Sequence, residues 1–488
     1  MLPPELLRVV FQFVADVECR AGAHGQLPLE RYQNELESGY KQIETKRSLL
    51  LVSRTFHKFA LELAWSWISI LSEERVQKID ALLKQGLQSK IVDEDGNLAT
   101  YNPSHWIRRL DIRYHFLAGT YGDESPVLNT IVRIVRSCPR LNVLVTDFAV
   151  GGVDCQRTSP LILDTIKQLD ITRLDFAGHE GPSLIDYIDL IHHLPNLEQL
   201  TTGRIAEPRM EEDKLVDAIR RLGYRPSPGD ETLKEEQVAL PPLLSWPQLS
   251  ILHFSHRPLL SSLRLFLHIH LPNLKILYMR NVHLDAFRVG VFFKHVGHQI
   301  THIYTTDIRT YDEPFGYARV LQLCPNLVHL TFSPRQDERH AERWEHRHLA
   351  SLGLRGVLPQ TLPKDEELVG NISRSLEKFL ARVVDACLDE GLPSLRLIRI
   401  EDDGLAPRRM MSRYGASWEG ICRRAGVALE DKNGRIIPDE AEEMLLSGLQ
   451  LDYTEATDVG DPGILSRPVT TARVTRKLIR WLNKVSIS

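Results

Sequence analysis

Short apolar motifs recur along the chain, and each follows the pattern Leu-x-x-Leu-x-apolar or a close variant of it. Six copies contain a proline, as in Leu-Pro-Asn-Leu-Lys-Ile-Leu at residues 271–277. With looser copies included, the motifs start at residues 107, 141, 171, 197, 249, 274, 300, 327, 349 and 395. Most steps between copies lie between 22 and 34 residues, so a repeated structural unit is expected.

Alternating positions within each motif predict a strand. In the copy that starts at Leu274, residues 277 and 279 are expected on one face and residues 276, 278 and 280 on the other. One such strand cannot bury its apolar face alone, so parallel stacking of successive strands is expected. Helical spacing before several motifs, as in residues 128–137, is ended by the motif proline.

This period and pattern resemble those of leucine-rich repeats. The resemblance implies an α/β fold, with an irregular leucine-rich-repeat solenoid that has parallel strands on its concave face and helices on its convex face. An ordinary α/β protein with proline-terminated helices is the alternative.

Composition restricts the class of protein. The 488 residues are 43% hydrophobic and carry a net charge of −4, which is typical of a globular protein and argues against a protein that binds nucleic acid over its whole surface. No apolar run reaches the roughly 18 residues of a membrane helix, and the apolar residues 6–14 lack the basic start of a signal peptide. The six cysteines are scattered, which favours free thiols in a reducing compartment. We therefore expect a cytoplasmic or nuclear location without membrane contact.

Motifs for catalysis and metal binding are not found. The sequence has no Gly-x-x-x-x-Gly-Lys loop, no Gly-x-Ser-x-Gly and no His-Glu-x-x-His. The histidines near residues 295–302 and 340–348 do not share a helix face or a protected setting, as a zinc site requires. The paired acids Asp402 and Asp403 are read as solubility residues. No catalytic residue, metal or cofactor is expected, and hence no enzyme.

Two short amphipathic helices are predicted in the first seventy residues. Three pieces there resemble the F-box family, namely Leu2-Pro3-Pro4-Glu5-Leu6-Leu7, Leu51-Val52-Ser53-Arg54-Thr55-Phe56 and Ala64-Trp65. Ser53 and Phe56 stand where the family commonly has Cys and Trp, and residues 16–46 are longer than the family norm. Residues 422–431 are similar to fungal members of this family.

The resemblance implies binding and not catalysis. F-box helices dock on a Skp-type adaptor that links to a cullin and its RING partner. The implied role is a substrate-recognition subunit of a Skp-cullin-F-box ubiquitin ligase that also binds an unknown protein target. Carried over by position, the adaptor-binding residues are Leu2, Pro3, Leu6, Val52, Phe56 and Trp65. The alternatives are a leucine-rich-repeat interaction scaffold without a ligase, and a GTPase or hydrolase regulator that acts through Arg113 or Arg280.

A target surface is expected on the outward side of the predicted strands. Its Tyr, Arg and His residues resemble the composition of protein interfaces, although any solvated sheet face carries polar residues. The predicted target-binding residues are Arg109, Asp111, Arg113, His253, Tyr278, Arg280, Tyr304 and Arg399.

These predictions divide the chain into four parts. They are an F-box-like module at 1–70 with an insertion at 16–46, a connecting helical segment at 71–105, a solenoid at 106–402, and a C-terminal cap with a basic tail at 403–488. Two excursions, 204–245 and 356–392, interrupt the solenoid. The tail is expected to rest on the last repeats, or to contact nucleic acid, an acidic lipid surface or an import receptor.

Overall fold

A computed structural model describes most of the central part of the chain. The described residues are 61–88, 90–92, 98–100, 102–113, 126–147, 159–176, 180–206, 244–254, 266, 269–279, 282–283, 286–305, 308–309, 317–334, 344–359, 366–402, 405–432 and 434. The chain divides into two units, Met1–Ile437 and Pro438–Ser488, and all described residues belong to the first. The basic tail therefore lies outside the described residues.

Within these residues the strands fall into one large sheet and several two-stranded pairs. Their bounds in chain order are β1 (Trp67–Ile70), β2 (Lys90–Val92), β3 (Leu98–Thr100), β4 (Arg109–Arg113), β5 (Val143–Asp147), β6 (Arg173–Phe176), β7 (Glu180–Ser183), β8 (Gln199–Thr202), β9 (Arg204–Ala206), β10 (Leu244–Ser245), β11 (Ile251–Phe254), β12 (Ile269–His270), β13 (Ile276–Met279), β14 (Val282–His283), β15 (His302–Thr305), β16 (Ile308–Arg309), β17 (His329–Phe332), β18 (Ser351–Leu354), β19 (Leu397–Ile400) and β20 (Ala428–Glu430).

Helices lie between several of these strands, and residues 61–66, before β1, are helical as well. The helices between strands are α1 (Glu73–Gln88), α2 (Pro126–Arg136), α3 (Pro160–Ile166), α4 (Leu184–His193), α5 (Ala286–Val296), α6 (Tyr317–Leu323), α7 (Glu366–Leu388) and α8 (Leu405–Arg423), with short 3-10 turns at Pro103–Trp106 and Gly297–Gln299. Among the described residues, none of the helices combines the length and the apolar character needed to cross a bilayer.

The large sheet contains twelve of the described strands, and every neighbouring pair in it is parallel. Its order is β1-β4-β5-β6-β8-β11-β13-β15-β17-β18-β19-β20, so neighbours in the sheet follow one another in the sequence. The prediction of parallel strands at the apolar motifs is confirmed, because each of the ten motif starts lies two residues before one of these strands. The protein therefore has an α/β fold built on a twelve-stranded parallel sheet.

The hydrophobic core lies between the helices and one face of the sheet. Leu277 and Met279 of β13 are buried in this core, together with residues such as Leu128 and Ile131 of α2. Tyr278 points to the other face, as the alternation of a strand requires. Side chains in two of the turns before strands also connect neighbouring units, since Nδ2 of Asn273 donates to the carbonyl oxygen of Pro247 and Nδ2 of Asn326 to that of His298, both at 2.6 Å.

The structure differs from the sequence predictions near both ends of the large sheet and in two of the predicted segments. Residues 67–70, predicted within a helical module, form β1, which pairs in parallel with β4. Residues 428–430 add β20 at the opposite edge. The segment 71–105 contains the antiparallel pair β2–β3 as well as a helix. The second predicted excursion, 356–392, contains α7. The four-part division of the chain otherwise stays a prediction.

Candidate functional site

The face of the sheet opposite the hydrophobic core, here called the polar face, carries one continuous row of side chains. Strand register aligns this row across neighbouring strands. Its members are Asp111, Val145, Asp175, Thr201, His253, Tyr278, Tyr304, Thr331, Gly353, Arg399 and Glu430. Because parallel strands lie about 4.8 Å apart, residues on adjacent strands can contact each other directly.

Buried ion pairs occupy the part of the polar face near β4 and β6. Nε of Arg109 donates to Asp111 at 2.7 Å, and the same guanidinium lies over the Trp67 ring at 4.3 Å. On β6, Nε of Arg173 donates to Asp175 at 2.7 Å. The hydroxyl of Thr201 donates to the second oxygen of Asp175 at 2.7 Å. These carboxylates already accept several hydrogen bonds from neighbouring side chains. We therefore assign this region to stabilising the sheet and not to binding a ligand.

Four rings form what is here called the aromatic strip: His253, Tyr278, Tyr304 and His329. The Tyr278 and Tyr304 rings are stacked, with centroids 4.5 Å apart and an angle of 11° between their planes. His253 contacts Tyr278 edge to face at 5.9 Å, and His329 lies 4.9 Å from Tyr304. The half-buried side chains of Ile251 and Ile276 pack against the two tyrosines, which makes a second apolar cluster separate from the main core. Burial raises the pKa of Tyr304, with Tyr278 adding to the effect, so the Tyr304 ring is a neutral phenol at pH 7.

A group of polar side chains, here called the carboxyl cluster, follows the aromatic strip at the carboxyl ends of β17, β18 and β19. Its members are Thr331, Arg355, Arg399, Glu401 and Asp402. Nε2 of His329 lies 2.9 Å from Oγ1 of Thr331, which donates to Oε1 of Glu401 at 3.0 Å. Polar contacts therefore run without a break from the strip into the cluster.

Glycine at position 353 makes room for this arrangement. A Cβ atom there would lie 2.3 Å from Oγ1 of Thr331 and 2.5 Å from Oε1 of Glu401, both too close for any side chain. A glycine inside a strand is otherwise unfavourable, because it contributes no packing and loses more chain entropy on folding. The close approach of the Glu401 carboxyl accounts for it.

Burial changes the proton affinities in this region. It raises the pKa of Glu401 to about 7, although the bond from Thr331 and the charges of Arg355 and Arg399 act in the opposite direction. It lowers the pKa of His329 to about 3, with His302 and Arg399 adding to the effect, so that ring is neutral. A carboxyl group that exchanges its proton near pH 7 is the type of group that serves in acid–base chemistry and in ligand binding.

Asp402 has a structural role next to this carboxyl. Its oxygens accept hydrogen bonds from the backbone N–H groups of Gly356, Val357 and Leu358 at 2.6, 2.9 and 2.8 Å. Gly356 has a φ of +68°, in the left-handed region that favours glycine. The assignment of Asp402 to surface solubility is therefore wrong, because this carboxylate holds the turn that follows β18.

We expect Asp402→Ala to lower the free energy of unfolding by about 1–3 kcal/mol, because three backbone donors lose their acceptor. Asp402→Asn keeps the size and one carbonyl oxygen, so its loss is expected to be smaller. Urea unfolding at pH 7, followed by circular dichroism, measures both. Equal stability of the alanine variant and the natural protein would contradict this role.

The structure brings together some of the predicted target-binding residues and separates others. His253, Tyr278 and Tyr304 lie on neighbouring strands and are buried, and Arg399 donates to Glu430 at 2.7 Å. Arg109 and Asp111 lie on β4, four strands away from β11. Residue 113 is the last of β4, whereas Arg280 lies outside the described residues.

Of the predicted adaptor-binding residues, only Trp65 belongs to the described residues, and it packs against the main hydrophobic core. The others, Leu2, Pro3, Leu6, Val52 and Phe56, lie outside them. Sequence reasoning missed Trp67, Gly353 and Arg355 as members of the polar face and carboxyl cluster. Glu401 and Thr331 were not selected as site residues either.

Metal ligands do not converge in the part of the chain that the structure describes, where no group of three or more His, Cys, Asp or Glu side chains could hold an ion. His346, one of the histidines considered for zinc, instead lies with its Nε2 2.9 Å from the carbonyl oxygen of Cys324.

Comparison with known proteins gives one partial relative. No protein-family model matches the sequence. An isoprenyl transferase from Heliobacterium mobile is 27% identical over 176 residues, which is 33% of this chain and 60% of the relative. The chain thus spans less than two thirds of that relative's length.

This relative corrects the family and function expected from the first seventy residues. It is named as a transferase, so the F-box resemblance is overturned, together with the keywords and the ubiquitin-ligase role that depended on it. The interaction-scaffold alternative is not supported either, and the expectation that the chain is not an enzyme is corrected for the same reason. The resemblance rested on short Leu, Pro and Trp motifs, which many small amphipathic helices share.

Proposed function

We propose that this protein binds an isoprenoid ligand on the polar face, with its chain along Ile251 and Ile276. The observation that carries this proposal is the second apolar cluster, in which these two half-buried side chains pack on stacked tyrosines outside the main core. Partly exposed apolar side chains on a mostly polar sheet face favour an apolar partner, because burying them removes hydrocarbon from water.

The shape of the strip fits an elongated ligand. The stacked Tyr278 and Tyr304 are only 4% and 5% exposed, so they form a rigid floor rather than the contact surface itself. Ile251 and Ile276 occupy neighbouring register positions on adjacent strands and remain partly accessible. An unsaturated hydrocarbon chain laid across these two strands would contact both isoleucines.

The partial relative supports the class of ligand, since its name refers to the transfer of isoprenyl groups. The finer architecture is also part of this proposal. Sequential strand order and the recurrence of Leu-x-x-Leu-x-apolar at each strand support a leucine-rich-repeat arrangement. A protein partner at Arg109, Asp111 and Tyr278 remains a separate proposal for the same face.

We expect Ile276→Ser to raise the dissociation constant for a C15 isoprenoid by roughly 10-fold or more, because it removes apolar contact from the strip. Titration of the full-length protein with farnesol, farnesyl diphosphate and the hydrocarbon farnesene, followed by tyrosine fluorescence or calorimetry, measures this change. Val328→Ser is the matched control, since Val328 is apolar, exposed and outside the strip. Absence of saturable binding for all three compounds would contradict the proposal, as would an equal effect of both substitutions.

Isoprenyl transfer is the second candidate function, favoured by the name of the relative. Incubation of the protein with farnesyl diphosphate, an isoprenyl acceptor and a divalent cation tests it, with release of diphosphate as the readout. Binding without release of diphosphate would contradict the transfer function and leave isoprenoid binding as the proposed function.

A further inference from the structure

We infer that the site on the polar face selects an isoprenoid of two units, because its accessible apolar part ends at Gln199 on one side and at His302 on the other. The inference rests on the proposed function and names the chain length that the same site accepts. Ile251 and Ile276 are here called the isoleucine pair.

Strand register places a polar residue on each side of the isoleucine pair. Ile251 of β11 is aligned with Gln199 of β8 and with Ile276 of β13. Ile276 is aligned in turn with His302 of β15. All four side chains are partly exposed, so a ligand can reach each of them without opening the fold. The accessible row therefore changes from polar to apolar and back to polar within four adjacent strands.

The residues next in line on both sides are polar as well. Arg173 is aligned with Gln199 and forms a buried ion pair within its own strand. His329 is aligned with His302, and the centroids of their rings are 5.9 Å apart. Hydrocarbon laid over such groups removes their water without supplying a hydrogen bond, which costs free energy. A chain that extends beyond the isoleucine pair therefore gains little from its additional carbon atoms.

The width of the isoleucine pair sets the length of chain that fits. Neighbouring strands lie about 4.8 Å apart, so two strands offer about 10 Å of apolar surface to a chain that crosses them. An extended isoprene unit has four carbon atoms in line, and its length is close to one strand spacing. Two units therefore cover the pair, whereas a third unit lies over Gln199 or His302, or in solvent.

Titration of the full-length protein with prenol, geraniol and farnesol, which carry one, two and three isoprene units, tests this inference by calorimetry or tyrosine fluorescence. We expect geraniol to bind roughly 10-fold more tightly than prenol, because the second unit covers the second isoleucine. Farnesol should bind within about 3-fold of geraniol, because its third unit meets polar side chains.

Gln199→Leu separates this inference from a general preference for long chains. The substitution extends the apolar row to three strands, so we expect farnesol to bind roughly 10-fold more tightly than geraniol in this variant. The side chain of Gln199 is partly exposed, which makes the replacement compatible with the fold, and Gln199→Met is a second variant with the same expectation. Gln322→Leu is the matched control, since Gln322 is exposed on α6 and should leave the ratio of the natural protein unchanged.

The outcomes separate the inference from the proposed function. If farnesol binds the natural protein roughly 10-fold or more tightly than geraniol, the limit of two units is overturned and isoprenoid binding stands. An unchanged ratio in both Gln199 variants, or equal binding of prenol and geraniol, has the same consequence. An equal rise of the ratio in Gln199→Leu and Gln322→Leu shows non-specific adsorption and also overturns the inference. If none of the three alcohols binds the natural protein, both proposals fail.

Discussion

Arg173→Ala is expected to lower the free energy of unfolding by about 3–5 kcal/mol, because it leaves a buried carboxylate without its cation. Asp175 is 4% exposed and accepts from Arg173 at 2.7 Å and from Thr201 at 2.7 Å. Burial acts to raise the pKa of Asp175, but the guanidinium of Arg173 and these hydrogen bonds hold it below its usual value. The ionised form is thus the one that the folded protein favours, and it depends on Arg173.

Equilibrium urea unfolding at pH 7 measures this loss, with Lys84→Ala as the control. Lys84 also pairs with a carboxylate, Asp80 at 2.7 Å, but its side chain is 57% exposed, so a loss below about 1 kcal/mol is expected. The pH dependence of this stabilisation follows from the lowered pKa of Asp175. Its contribution is present above the ordinary aspartate pKa and disappears as the pH falls through the folded value. A similar loss in both variants, or a difference that does not shrink in acid, would contradict the role of this pair.

The main sheet could be predicted from sequence because each strand repeats the same apolar spacing. Ten strands follow the Leu-x-x-Leu-x-apolar motif, and the parallel order follows from their stacking. The two edge strands were missed. β1 follows Ala64-Trp65, which was read as part of a helical module, and β20 has no preceding motif. Each buries its apolar side only because a neighbouring strand is already there, and a local pattern does not contain that information.

The candidate site was predictable only in part, for a related physical reason. Strand alternation places His253, Tyr278, Tyr304 and Arg399 on the polar face, as predicted. It does not reveal which of them pair with one another. Glu401 meets Thr331, which is 70 positions away in the chain.

One local signal for this contact was present in the sequence. Gly353 interrupts the strand Ser351-Leu352-Gly353-Leu354, where a side chain would be the ordinary choice. A glycine within a predicted strand indicates close approach of another group. Glu401 lies two positions beyond Arg399, so strand alternation places it on the same face as Arg399. The glycine and this carboxyl together indicate a crowded position on the polar face.

Leu330→Ala is expected to lower the free energy of unfolding by about 2–5 kcal/mol, because it opens a cavity in the middle of the core. Leu330 is fully buried on β17, and register aligns it with Ile303 on one side and Leu352 on the other. These neighbours belong to rigid strands that cannot move closer to fill the space. The same substitution also loosens the strand that carries His329 and Thr331, so we expect weaker farnesol binding in this variant.

Val328→Ala is the matched control for this prediction, since Val328 lies two residues earlier and is 37% exposed. Its stability is expected to change by no more than about 0.5 kcal/mol, because solvent already reaches the side chain. Urea unfolding of both variants, followed by circular dichroism, gives the comparison. A loss at Leu330 no larger than that at Val328 would mean that the apolar motif does not form the core that joins sheet and helices. The polar face would then lack the rigid support on which the positions of its tyrosines and of Glu401 depend.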